Sequence, residues 1–176
     1  MGQQSGNTQL RVREVNPSIE QNKREISKLL KDPPKSWRAM FLSEGISETP
    51  TIAQVLSLLE DTAGSNPSLE RETSSVNPKT FIPPNSVRVE AMKGIQLSYD
   101  FNYPSYKGIG LARAIQLATQ ETVWERSLER MNAFFQRNKR YQELKGFGDD
   151  NNPSKSYMAW LNWGGTSGWN WVKSIL

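Results

Sequence analysis

Hydrophobic and polar positions alternate along this chain in short helical runs, one strictly two-residue run, and polar gaps. Residues 1–17 carry few apolar anchors and are expected to form a flexible arm. Ser18 with Gln21 three residues on gives a capping signal, and Ile19, Ile26, Leu29 and Leu30 mark one face until Pro33 and Pro34 stop the run. The segment "SWRAMFLSEG" predicts a second brief helix ending at Gly45. Thr49 and Pro50 supply cap and first turn for a third, which carries Ile52, Val55, Leu56 and Leu59 and stops at Gly64. Ser, Thr, Asn and Pro dominate the stretch from Gly64 to Ser86, which reads as a polar connector over 64–86.

Next comes the alternation: Ile95, Leu97, Tyr99, Phe101 and Tyr103 are separated by Gln96, Ser98, Asp100 and Asn102. That is the pattern of a half-buried strand. Its partner would be "SVRVEAM". A three-residue Met92-Lys93-Gly94 turn pairs Ala91 with Ile95, Val89 with Leu97 and Val87 with Tyr99, whereas a two-residue turn would put Glu90 and Arg88 on the apolar face. A β-hairpin over about 86–103 is therefore expected, with Gly94 in the left-handed turn position.

No proline or glycine interrupts the chain from Leu111 to Lys145, so one long amphipathic helix is expected over about 111–145. Trp124, Leu128, Met131 and Phe135 form its apolar face at about 100° per residue. On that wheel Arg126, Arg130, Arg137 and Arg140 fall within about 80° of one another, and Glu121, Glu125, Glu129 and Glu143 form a separate row. Sorted charges forgo the i, i+4 pairing that solvated faces use, which points to a partner on the arginine side.

The C-terminus, "WLNWGGTSGWNW", concentrates four of the six tryptophans. Ser154 caps a helix whose inward face holds Tyr157, Trp160 and Leu161, with Trp163 off that face. Beyond the glycines, Trp169 and Trp171 share a face if the segment is extended. A helix instead groups Trp171 with Val172 and Ile175, and the "VKSIL" ending favours it. Core closure or docking accounts for these rings better than a sugar platform does. Trp163, Trp169 and Trp171 are the candidate aromatic contact surface.

Charge and composition narrow the function. Residues 1–35 hold seven basic against four acidic side chains, 36–64 one against four, and 95–148 eight against five. Basic segments flanking an acidic one suit nucleic acid, an anionic surface or an acidic partner. With no His and no Cys, imidazole catalysis, thiolate nucleophiles, nearly all zinc ligation and disulfides are excluded. Asp100, Asp149 and Asp150 could form only a two-carboxylate site of the glycosidase kind, and "DDNN" lacks the acidic spacing of a calcium loop. Gly108 and Gly110 in "YKGIGLARA" fall short of a phosphate-binding fingerprint. "MGQQSG" places Gly2 where myristoylation occurs but has Gly6 where Ser or Thr is preferred.

The resulting expectation is a mostly helical α+β protein: the 1–17 arm, then a single domain over 18–176 with short N-terminal helices, a hairpin, a long helix and a Trp-rich closure. It is expected to be non-catalytic, an interaction and assembly protein that forms part of a larger complex or particle. Its general make-up resembles small structural proteins of viral and other large particles, with no diagnostic motif behind the likeness. Arg126, Arg130, Arg137, Lys139 and Arg140, with Arg11 and Arg13 of the arm, would meet a protein partner, a second copy or, in the alternative reading, nucleic acid. A small carbohydrate-binding or carboxylate-dependent hydrolase is a third reading, and peripheral membrane contact through Gly2 a fourth. No cofactor or metal is expected. No apolar run approaches the roughly 20 residues of a spanning helix and no signal peptide opens the chain, so it reads as soluble, cytoplasmic or particle-associated.

Overall fold

A computed structural model describes residues 17–59 and 79–176. The arm with Gly2, Arg11 and Arg13, and most of the expected connector, lie outside the described residues. No helix among the described residues is long and apolar enough to cross a membrane. The protein is mostly helical, with one small antiparallel sheet.

Helix α1 (Pro17–Lys31) opens on proline, whose missing N–H costs nothing in a first turn, and ends on Lys28 and Lys31, which suit the negative end of the helix dipole. It buries Ile19, Ile26 and Leu30, the anticipated face. Helix α2 (Lys35–Ser43) buries Trp37, Met40 and Phe41 and ends before left-handed Gly45. Helix α3 (Ile52–Leu56) is capped by Thr51 rather than Thr49: the Thr51 hydroxyl accepts from the Gln54 N–H and the Gln54 side chain accepts from the Thr51 N–H.

The expected hairpin is instead helix α4 (Asn85–Asp100). Period-two alternation from Ile95 coexists with Val87, Ala91, Gly94, Ile95 and Ser98 at helical spacing, and these are buried together with Arg88 and Leu97, whereas Val89 and Phe101 are exposed. Gly94 adopts no turn. Its bare Cα lies against the backbone of Leu161 and Asn162, so the glycine costs helix propensity and gains close helix contact. The two-stranded sheet lies elsewhere, joining β1 (Thr80–Phe81) to β2 (Val123–Trp124), with Phe81 opposite Val123. Part of the expected connector is thus ordered as β1 and the start of α4.

The single helix over 111–145 is likewise broken. Helix α5 (Ile109–Thr119) ends, β2 follows, then helix α6 (Glu125–Asn138), and a 3₁₀ turn spans Lys139–Glu143. The break has no local cause in proline or glycine. At the break Arg88 of α4, 2% exposed, donates through its guanidinium to the carbonyls of Leu117, Gln120 and Glu121 at 2.8, 2.7 and 3.2 Å, and Asn22 donates to the Ala118 carbonyl. These are the acceptors a helix end leaves orphaned. Burial lowers the Arg88 pKa and the Glu121 carboxylate opposes that shift.

Helix α5 is buried along its length and forms the centre of the fold, with α1, α3, α4 and helix α7 (Lys155–Asn162) around it. Helix α8 (Gly165–Ile175) follows left-handed Gly164 and Gly165 and resolves the C-terminal alternatives in favour of helix. Its first turn rests on the Glu90 carboxylate, which accepts from the Ser167 N–H at 2.7 Å. An anion at a helix N-terminus is favourable on dipole grounds.

Candidate functional site

Helix α6 turns Leu128, Met131, Phe134 and Phe135 inward, and its opposite side exposes Glu129, Arg130, Gln136 and Arg137. A buried polar chain helps hold it to α5: Arg113 donates to Gln116 at 2.6 Å, and Gln116 donates to the Ser127 hydroxyl at 3.2 Å. The arginine stripe does not behave as one surface. Arg126 lies over the Trp124 ring at 5.0 Å. Arg140 lies over Tyr141 at 5.0 Å and donates to its hydroxyl, while Lys139 reaches Gln136. Lys139 and Arg140 also belong to the 3₁₀ turn, so one helical wheel cannot place them with the others. None of these five cations is in an ion pair among the described residues.

Arg130 and Arg137, two helical turns and about 10.5 Å apart along the axis, share a different environment. Both line a cleft of about 460 Å³. Ala133 and Phe134 lie between them on α6, and Ala159 and Trp163 complete that side. The facing wall is the segment Tyr103–Gly110, from which Tyr103, Ser105, Tyr106, Ile109 and Gly110 contribute. No carboxylate lines the cleft.

The wall is built from pieces far apart in sequence. Asn102, left-handed at φ 51°, accepts from the Ser36 N–H through its side chain and from the Ser36 hydroxyl through its carbonyl. The Trp37 indole donates to the Tyr103 carbonyl at 2.9 Å, so α2 holds this segment in place. Lys107 is also left-handed, at φ 54°, a conformation L-residues adopt at a cost. The Ser105 hydroxyl accepts from the Leu111 N–H at 3.0 Å and caps α5. A side chain at Gly110 would crowd Ser105 and approach the Trp163 indole nitrogen. These positions explain "YKGIG" as a cleft wall and helix start.

Aromatic groups divide into those packed in the fold and the exposed Phe101 and Tyr106. Trp163 stacks on Phe134 at 4.7 Å and 5° and carries the Arg113 guanidinium at 5.0 Å from its ring, so it lines the cleft with its π system already engaged. Trp169 packs against Phe135 and Trp160, has Lys173 over its ring at 4.1 Å, and keeps a buried indole N–H without a hydrogen-bond partner. Trp171 is half-buried against the core. The three tryptophans therefore do not form a common contact surface. Tyr106, absent from the sequence-based candidates, is 80% exposed beside the cleft, with Lys107 5.5 Å from its ring. Burial raises the Tyr103 pKa, which keeps its phenol neutral at physiological pH.

The carboxylates are occupied structurally. Asp149 accepts from the Asn151 and Asn152 N–H groups at 2.9 and 3.2 Å, an Asx turn. Asp150 meets Lys93 at 2.6 Å and the Tyr157 hydroxyl at 2.8 Å, and these two donors hold its pKa below the ordinary value. Asp100, at the end of α4, accepts from Gln96 at 2.9 Å. Among the described residues no three acidic side chains gather as a metal site would require. No protein-family model, curated protein or solved structure matches the chain.

Proposed function

We propose that this is a non-catalytic interaction protein, a component of a larger assembly, whose docking face is the Arg130–Arg137 side of α6 and whose partner is acidic there. The observation that carries this reading is the pair itself: two exposed guanidiniums, outside any ion pair among the described residues, flank an apolar cleft with no carboxylate in its lining. Keeping two like charges beside an apolar recess has an electrostatic cost that an anionic partner offsets. The structural engagement of Asp100, Asp149 and Asp150 supports a role without chemistry.

Heparin affinity, used as a polyanion probe, tests the face. Arg130→Glu with Arg137→Glu should elute at markedly lower salt than Arg24→Glu with Lys28→Glu, an equal charge change on exposed positions of α1. Equal shifts for the two pairs would mean that net charge alone matters and would refute the docking face. Light scattering at low and high salt examines assembly in parallel: self-association that the α6 pair abolishes makes a second copy the partner.

A further inference from the structure

We infer that the cleft between Tyr103–Gly110 and α6 receives one nucleotide unit of a single-stranded nucleic acid, with the base against Tyr106 and the flanking phosphates at Arg130 and Arg137. The inference rests on the docking-face reading and names its partner. Single-strand binding needs a cationic track and an aromatic face that the protein itself does not use. Trp163 and Trp169 fail the second condition, because neighbouring rings pack on them. Tyr106 meets it: although Lys107 lies 5.5 Å from its ring, the residue is 80% exposed and lines the same cleft as the two arginines.

Two further features fit this occupant. Lys107, next to Tyr106 and 5.5 Å from its ring, adds a third cation near the cleft. The floor of Ala133, Phe134 and Ala159 is apolar, which suits the edge of an unpaired base. An acidic protein segment would use the arginines but would leave the exposed ring without a function.

The full-length chain is titrated by fluorescence anisotropy with a labelled oligothymidylate of about 12 nucleotides. The comparison probe is an abasic deoxyribose-phosphate strand of the same length. The wild type should prefer the base-bearing strand. Tyr106→Ala should weaken that strand about tenfold while leaving the abasic strand unchanged, and Tyr106→Phe should restore the preference. Arg130→Gln with Arg137→Gln should weaken both strands and reduce the slope of log K against log salt by about 1.4. Equal wild-type affinity for the two strands, no binding at low salt, or indifference to Tyr106→Ala overturns the nucleotide assignment. Those results leave the docking face standing if the arginine pair still governs heparin retention. Failure of the arginine pair on every polyanion overturns both.

Discussion

Replacing Gly94 with alanine tests the contact on which the central packing depends. A Cβ at this position would stand 2.8 Å from the Asn162 backbone nitrogen and 2.9 Å from the Leu161 carbonyl carbon, inside the 3.0 Å that real Cβ contacts respect. Both neighbours belong to the backbone of α7, which cannot swing aside as the end of a flexible side chain would. Overpacking of this kind costs about 1–3 kcal/mol, and a rigid neighbour puts it near the upper end. Alanine's better helix propensity returns about 1 kcal/mol. The net loss of about 2 kcal/mol corresponds to a fall in Tm of about 4–8 °C for a chain of this size. Thermal unfolding followed by far-ultraviolet circular dichroism reads it directly. Gln96→Ala, on the exposed side of the same helix, should move Tm by less than about 2 °C. A Gly94→Ala protein that melts at or above the wild type would show that α4 and α7 do not approach closely here.

Arg88→Met keeps the apolar length of the side chain but leaves the Leu117, Gln120 and Glu121 carbonyls without their donor; urea unfolding should show a loss of about 2–3 kcal/mol, and a change under about 1 kcal/mol would contradict its role in ending α5. Asp150→Asn should cost less than about 1 kcal/mol near neutral pH, because the Lys93–Asp150 pair is about half exposed and screened by solvent. Since the folded Asp150 pKa lies below 3.8, that contribution is present above the unfolded value and is lost as pH falls through the lower folded one. On the alkaline side Lys93 is raised above 10.5, so its share is lost as pH rises through that higher folded value. A stability gap between wild type and Asp150→Asn that persists unchanged in strong acid would refute the assignment.

Apolar spacing in the sequence located α1, α2 and α7, whereas of the caps only Ser154 stands where expected, Ser18 lying inside α1, which opens at Pro17. Ser154 accepts from the Tyr157 N–H as its position before that helix implies. The stretch 85–100 misleads because a run of alternating side chains also satisfies a helical face, and the deciding contact, Gly94 on Asn162, is 68 residues away in sequence. For the site, the arginine periodicity is legible because Arg130 and Arg137 lie on one regular helix. The cleft is not, because its opposite wall is held by contacts distant in sequence, Asn102 and Tyr103 being fixed by Ser36 and Trp37. Tyr106 carries no periodic signal, and its exposure is a property of the assembled fold.

Arg88 meets the end of α5 through backbone carbonyls, with only the Glu121 carboxylate adding a side-chain interaction from the segment it stops. Much of the instruction for that boundary is therefore stored about thirty positions upstream, at a residue that reads the main chain of Leu117, Gln120 and Glu121, and a second donor, Asn22, meets the neighbouring Ala118 carbonyl. Among descendants of this chain, the junction between α5 and β2 can drift in composition while its location stays put. A change at position 88 would shift a helix boundary in a stretch of chain that has itself acquired no mutation.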